Sequence, residues 1–397
     1  MRLCWLISDD RGGGIAPVAV SFCRQAAAEG HDVTLLMALE SKGHIDEYAD
    51  GFVLDSLNSE PQSPEGPRRL TEWLNENPQE VLFLNGCSQV EPAIPYISSE
   101  TYCVYVVHDT APMYWTNAVQ HEDVLDGIIA VSDAVARQFR DRLDHPERLH
   151  VVHNGTVFPS APETKDRPDD LLFLGGSQPL KGKEDVLAVW EALVKRGLDG
   201  RLHWYGRVDD RTRRQIEGLP ATSRVQQHGW TPRSEIFERA GQSKVLLMLS
   251  RDEPFGMATV EAMGMGCIPV AWDIDTGTRE ILEEQHTGLT APLGDTEAAA
   301  EQVLEAFRRH DALHKNAMRV ARDRFSEEAM WHRYAELLEI LTEIPPVERP
   351  DAGGTPPPYE PPTRYLQLLP DGLRTRIRAM VGRFPKVHRW LRDWKGV

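Results

Sequence analysis

At 397 residues the chain is too long for one ordinary core and suits two domains of typical size. Hydrophobic residues make up 41% and charged residues 26%, an ordinary globular balance. A formal net charge of −17 argues against a general nucleic-acid binder, and no nucleic-acid partner is expected.

The five cysteines (Cys4, Cys23, Cys87, Cys103, Cys267) are odd in number, scattered and never in a Cys-x-x-Cys pair. That pattern argues against a disulfide framework or a zinc site, and fits a reducing, cytoplasmic compartment. The chain opens with Arg2–Ser8, a strand whose apolar run is far shorter than a signal-peptide core. No apolar stretch approaches the roughly 20 residues of a spanning helix. Gly12-Gly13-Gly14 follows, then an amphipathic helix over Ala16–Glu29. Val33–Ala38, Glu80–Leu84, Tyr102–Val107, Gly127–Val131 and Leu149–Val152 are further short strands rich in Val, Ile, Phe or Tyr. Ser132 caps a helix predicted to run to about Arg142. Continuous apolar strands between helices predict a parallel sheet covered on both faces, a doubly wound α/β domain over residues 1–158.

Residues 159–170, rich in Pro and charge, read as a linker. The alternation then restarts over residues 171–325. Strands are predicted at Leu171–Leu174, Arg201–Tyr205, Lys244–Leu249 and Ile268–Ala271, with helices at Glu184–Arg196, Arg233–Ala240 and Gly256–Met265. Three helical patterns close the body at Thr296–Arg308, Ala312–Arg324 and Ser326–Leu341. The last, residues 326–342, is expected to pack back on the first domain. Two successive α/β units imply two Rossmann-like domains with a cleft between them. Residues 346–363 read as a flexible or extended Pro-rich linker. Residues 364–397 carry nine Lys/Arg against two acids, with Leu373, Ile377, Met380, Phe384, Val387, Leu391 and Trp394 at helical spacing. Such a basic amphipathic tail suits an anionic membrane surface, its own acidic body or a partner; the membrane reading is favoured.

Ligands in doubly wound sheets bind beyond the carboxyl ends of the strands, which singles out three loops. Gly12–Gly14 precedes the first helix, whose N-terminus attracts anions, though a glycine run is also what a tight turn needs. The run from Gly175 to Lys183 opens the second domain's first helix and carries Lys181, suited to neutralising a diphosphate. The third loop, after Lys244–Ser250, holds Glu253 and Glu261 eight residues apart, one in the loop and one in the following helix. Amides from Gly256 to Thr259 suit phosphate or sugar oxygens, and the carboxylates suit hydroxyls of sugar and ribose.

The segment Glu253–Ala271 (EPFGMATVEAMGMGCIPVA) resembles the E-x7-E segment of glycosyltransferase family 4. Val106–Asp109, Ala130–Ser132, Val152–Gly155 and Asp275–Leu289 resemble further segments of that family in the same order, over roughly residues 1–342. The resemblance implies a GT-B fold, a nucleotide-sugar donor, retention of anomeric configuration, and no cofactor or obligatory metal. It implies that Glu261 holds the ribose hydroxyls and Glu253 faces the donor sugar. Phe255, Gly256, Met257, Ala258 and Thr259 would bind the donor beside Glu253. Lys181 would clamp the diphosphate, Gly13 and Gly14 would line the phosphate end of the cleft, and His108 would sit by the sugar. Glu253, His108 and Lys181 would be the catalytic set. Tyr114 and Trp115 are equally suited to acceptor contact and to packing. Gly176 stands where the family has an arginine, so half of the diphosphate clamp is missing unless Lys183 or Arg207 replaces it.

The function implied is transfer of a sugar to a glycan or lipid-linked acceptor in cell-surface polysaccharide or glycolipid synthesis. The protein would then work at the cytoplasmic membrane face. A nucleotide-sugar 2-epimerase or a weakened, non-catalytic binding subunit on the same fold are the alternatives.

Overall fold

The computed structural model describes residues 1–10, 14–43, 45, 49–160, 167–282 and 286–361. The basic segment 364–397 lies outside the described residues. Two compact units emerge: residues 1–157 with 326–361, and residues 158–325.

In the first unit, β1 (Arg2–Ile7), β2 (Asp32–Leu39), β3 (Val53–Ser59), β4 (Val81–Leu84), β5 (Tyr102–Val107), β6 (Gly127–Ala130) and β7 (Leu149–Val151) form one parallel sheet. Its order is β3-β2-β1-β4-β5-β6-β7. Strand β1 is central, with Leu3 opposite Val33 on one side and Val81 on the other, and Leu3 to Ile7 are wholly buried. Burial on both faces is why these strands read as unbroken apolar runs. Around the sheet lie α1 (Ile15–Ala28), α2 (Gly66–Glu76), α3 (Pro112–Gln120) and α4 (Asp133–Ala136). The Ser132 hydroxyl caps α4 by accepting from the Val135 amide at 3.1 Å. The regular helix ends at Ala136, six residues short of the predicted Arg142. The chain then tightens into a 3-10 turn at Arg140–Arg142, with Phe139 stacked against Trp115.

The second unit repeats the plan. Its strands β8 (Leu171–Leu174), β9 (Leu202–Tyr205), β10 (Val225–Gly229), β11 (Val245–Met248), β12 (Ile268–Trp272) and β13 (Leu289–Ala291) are parallel in the order β10-β9-β8-β11-β12-β13. Its helices are α5 (Lys183–Lys195), α6 (Asp210–Glu217), α7 (Arg233–Gln242), α8 (Met257–Gly264), α9 (Gly277–Ile281), α10 (Thr296–Arg308) and α11 (His310–Phe325). The segment read as a linker ends in a buried anchor: Arg167 donates to the carbonyls of Met265 at 2.8 Å and Ser243 at 3.3 Å. In both sheets the strand order reverses beside the first strand, between β1 and β4 and between β8 and β11. Those reversals are where doubly wound sheets hold ligands.

After the second unit the chain returns to the first as α12 (Glu327–Thr342), again with a serine cap, Ser326, accepting from the Ala329 amide. Tyr334 packs 5.0 Å from Phe22, 5.4 Å from Trp5 and 5.7 Å from Phe83 (ring centroids), and Trp331 packs 5.5 Å from Phe22. Glu327 accepts from Arg24 and from Gln25 Nε2 at 3.0 Å, fixing the helix start on α1. The first unit's core is therefore completed from the far end of the sequence.

Residues 346–361, the described part of the Pro-rich segment read as a flexible or extended linker, are tied down. The Arg349 side chain is wholly buried and donates to Val124 O at 2.9 Å, Ser98 O at 3.0 Å, Thr101 O at 2.9 Å and Asp126 Oδ2 at 2.6 Å. Asp126 Oδ1 accepts from the Val347 amide at 2.7 Å. A buried charge is tolerated because it is paired and each of its three nitrogens donates. No helix among the described residues is long and apolar enough to cross a membrane.

The Tyr334 hydroxyl is buried without a hydrogen-bond partner. Tyr334→Phe should therefore leave stability unchanged or raise it by up to about 1 kcal/mol. Tyr334→Ala should cost about 3–5 kcal/mol in urea unfolding of the first unit, through the cavity it leaves.

Candidate functional site

In the second unit, the loops after β8 and β11 meet at the carboxyl end of the sheet. The approach requires glycine at residue 182. Its φ is +76°, and a Cβ there would stand 2.0 Å from the Leu249 carbonyl oxygen. The Arg251 amide donates to Leu180 O at 2.8 Å, and the Arg251 guanidinium pairs with Asp185 of α5 at 2.7 Å, locking the two loops together. Lys181 Nζ thereby reaches Glu253 Oε2 at 2.7 Å, with the lysine part-exposed and the glutamate nearly buried.

From Glu253 the chain runs into α8. The Glu253 carbonyl accepts from the Gly277 amide at 2.9 Å, and the buried Phe255 ring packs 5.7 Å from Phe325. Gly256 caps α8, whose first amides lack intrahelical acceptors as at any helix start. Met257 and Ala258 are part-exposed there, whereas Phe255, Gly256 and Thr259 are buried. The Thr259 amide is already taken by Gly256 O at 2.9 Å. One turn further on, Glu261 Oε1 accepts from Arg233 Nε at 3.0 Å and Nη2 at 2.6 Å, which leaves Oε2 for another donor. Burial pushes this carboxyl above the usual range, and Arg233 opposes the shift.

Gly176 explains the missing arginine. Its φ is +52°, and a Cβ would meet Arg207 O at 2.6 Å and Arg207 N at 3.0 Å, so no side chain fits without moving the loop after β9. Lys183 is buried and donates to Thr212 Oγ1 at 2.7 Å, a packing role. Arg207 is exposed on the loop that abuts Gly176. Of the two candidate substitutes, Arg207 keeps its charge toward solvent.

In the first unit, a cavity of about 360 Å³ lies at the other strand reversal. Ser8 and Asp9 after β1, Gly14 before α1, and Asn85 and Gly86 after β4 line it. Gly13 lies outside the described residues. His108, at the end of β5, meets Asn85 Oδ1 through Nε2 at 2.8 Å. The Asn85 amide is oriented by its Nδ2, which donates to Leu6 O at 2.9 Å and Phe83 O at 3.3 Å. Oδ1 can only accept, so His108 Nε2 carries the proton and Nδ1 is the acceptor. Burial pushes the imidazole down to about 4, so it is neutral near pH 7. Tyr114 lines the cavity, while Trp115 is buried, donates to Thr110 O at 3.1 Å and stacks on Phe139. The two aromatic neighbours thus divide between site and core.

Beneath this region Glu91 is wholly enclosed. Its carboxylate accepts from the Tyr105 hydroxyl at 2.6 Å and from Asn117 Nδ2. Burial outweighs both bonds and pushes the carboxyl up to about 7. Elsewhere, at the start of α11, His310, Asp311 and His314 bring possible metal-ligating atoms within 4.8 Å of one another. His310 Nε2 and His314 Nδ1 there also meet backbone carbonyls, of Gly266 and His310.

The structure brings Lys181, Glu253, Met257, Ala258 and Glu261 to one end of the second sheet, and His108 and Gly14 to the matching end of the first. Sequence reasoning missed Asn85 and Arg233, which orient His108 and Glu261. It also missed Gln89 and Tyr359 in the cavity lining. A polar residue directly after a strand, as Asn85 is, was the available signal; the others depend on distant contacts.

Two family models match in tandem: Glycosyltransferase Family 4 over residues 12–157, and Glycosyl transferases group 1 over residues 168–309. A phosphatidyl-myo-inositol mannosyltransferase of Mycolicibacterium smegmatis is 26% identical over 337 residues, covering 75% of this chain and 82% of that relative. A GDP-mannose:cellobiosyl-diphosphopolyprenol alpha-mannosyltransferase of Xanthomonas oryzae is 32% identical over 164 residues, 40% of this chain. That match spans 43% of the relative, less than half its length. The Anabaena protein HepE, solved in complex with UDP, has a TM-score of 0.71 at 18% identity, covering 86% of this chain and all of that one. At that identity the likeness is one of fold.

The Glu91 carboxyl takes up a proton on folding, because its ordinary value is 4.5 and its folded value about 7. Its contribution to stability is full below pH 4.5 and lost as pH rises through about 7, about 3 kcal/mol in all. Wild-type melting temperature should fall over that window, and Glu91→Gln should flatten the fall.

Proposed function

Because the chain belongs to the family 4, group 1 glycosyltransferases, we propose that it transfers a hexose from a nucleotide-sugar to a glycan or lipid-linked acceptor with retention of configuration. The observation that carries this reading is the Lys181–Glu253 pair set against the N-terminus of α8 at the β8/β11 reversal. In this proposal Lys181 places a point charge on the donor diphosphate, aided by the positive end of α8 and the amides of Met257 and Ala258. Glu261 Oε2 accepts from a ribose hydroxyl while Arg233 holds its other oxygen. Glu253 accepts from donor-sugar hydroxyls. No covalent nucleophile is required: the leaving phosphate takes the acceptor proton as the new bond forms on the same face. Catalysis then rests on positioning and on stabilising phosphate charge. Neutral His108 offers Nδ1 to a sugar hydroxyl.

The relatives named as mannosyltransferases and the UDP complex of HepE leave both GDP- and UDP-sugars as donors to test. Release of free nucleotide from a panel of UDP-, GDP- and ADP-hexoses should occur with one donor. It should drop at least a hundredfold in both Glu253→Ala and Lys181→Ala. Release that survives both substitutions would refute the assignment of the site. An isomerised donor appearing without acceptor would favour the 2-epimerase reading instead.

Arg207 is proposed as the second cation on the diphosphate, in place of the arginine that Gly176 cannot supply. Arg207→Ala should weaken nucleoside-diphosphate binding in calorimetry about tenfold, or ~1.4 kcal/mol. Lys183→Met should change melting temperature and leave that affinity within twofold.

A further inference from the structure

The segment after α12 does more than end the chain. Near its start the Tyr102 hydroxyl, at the beginning of β5, donates to Ile344 O at 2.7 Å. Arg349 and Asp126 pin it, and it continues past Tyr96, whose carbonyl accepts from the Gly353 amide at 3.1 Å. It then reaches Pro64, whose carbonyl accepts from the Tyr359 amide at 3.0 Å. This strap thus crosses from the strand-start end of the first sheet to the strand-finish end. There Tyr359 joins the cavity lining with Met113 and Tyr114 of α3, and Met113 is exposed. An extended, proline-rich segment builds no core of its own, so these contacts fix where residue 361 sits.

The sequence says what is attached at that point. Arg364 follows Pro361 by three residues, at most about 10 Å of chain. From Arg364 to Val397, nine Lys/Arg stand against two acids, in a chain whose net charge is −17. Leu373, Ile377, Met380, Phe384, Val387, Leu391 and Trp394 recur at spacings of four and three. Positive charge with an apolar row suits a surface that offers both anionic groups and hydrocarbon. The protein's own acidic surface meets only the first need, because its exposed large apolar side chains, among the described residues, are few and spread over both units. The tail of a second copy would meet only the second, and Pro385 interrupts the repeat that a coiled coil needs. The interface of an anionic bilayer meets both.

We propose that the strap roots the basic tail at the strand-finish end of the first unit, and that the tail docks this end on an anionic lipid bilayer. Such a surface repels an acidic body, so attraction supplied at one fixed point also sets which end approaches. Met113 and the cavity it lines then lie next to the lipid. Docking of this kind does not depend on the donor site, so its failure would leave the transferase reading standing.

The test uses the full chain and vesicles of phosphatidylcholine, alone or with about one-third phosphatidylglycerol. In flotation at low salt, recovery with the anionic vesicles should exceed that with neutral ones at least tenfold, and ~0.5 M salt should release the protein. Arg374→Glu, Arg376→Glu, Arg378→Glu and Arg383→Glu together should abolish the difference. The five native cysteines are all buried, so an introduced surface cysteine can carry an environment-sensitive dye selectively. Met113→Cys places it at the strand-finish end. Ile340→Cys places it at the other end, where Ile340 is exposed and its neighbour Leu341 packs at the start of β6. On anionic vesicles the dye at residue 113 should brighten at least twofold and the dye at residue 340 should not change. A flexible Gly/Ser insert of ~20 residues after Pro361 should leave flotation within threefold and at least halve the response at residue 113. Equal flotation with both vesicles, or flotation that survives the four substitutions, would overturn the proposal. So would a response at residue 340 that matches residue 113, or an insert without effect on residue 113.

Discussion

The contact between Lys181 and Glu253 depends on backbone packing that leaves no space for a side chain at residue 182. With the loop after β8 lying against the end of β11, a cation and a carboxylate from segments 72 residues apart stand 2.7 Å apart. Neither charge is isolated: Arg251 and Asp185 form a second pair that ties the same loops. The first turn of α8 adds fixed dipoles beside them. A site built this way has both signs of charge in place before any ligand arrives. The same strand order in the first unit puts a neutral histidine and a polar cavity at the equivalent edge. One unit presents a cation–carboxylate pair beside a helix start; the other presents a cavity lined by amides, hydroxyls, a carboxylate and rings.

The first unit is also a composite in sequence. Its aromatic core needs Trp331 and Tyr334, and its lower edge needs Arg349, although all three follow the second unit. Arg349 fixes the strap that carries Tyr359, so a buried ion pair at the strand-start end sets the wall of a cavity at the strand-finish end. Gly176 shows the opposite coupling. Its close packing against the Arg207 backbone leaves no room for a side chain at residue 176, while the Arg207 side chain itself is exposed.

Much of the plan was legible. Each interior strand of either sheet announces itself as an apolar run because both faces are covered. The strands that escaped notice are three of the four edges: β3 and β10 carry Asp, Ser, Asn, Gln and His, and β13 has three residues. β3 and β10 are half-exposed, so their pattern resembles a loop, whereas β13 is largely buried and simply too short to show a pattern. The site residues carried by Glu253–Gly264 and by Lys181 lie on contiguous segments with a readable order. Asn85, Arg233, Gln89 and Tyr359 do not, because each matters through one long-range contact. Arg349 was hidden by its setting, since a lone arginine among prolines and glycines gives no sign that it will be buried.

The proposed function requires the second unit's β8/β11 loops to hold the nucleotide-sugar. A crystal structure of the protein with the nucleoside diphosphate of its donor tests it most directly. The diphosphate should lie against Lys181, Arg207 and the amides of Met257 and Ala258, with a ribose hydroxyl on Glu261. A nucleotide bound instead in the Ser8–Gly14 region of the first unit, with Lys181 and Glu261 untouched, would contradict it.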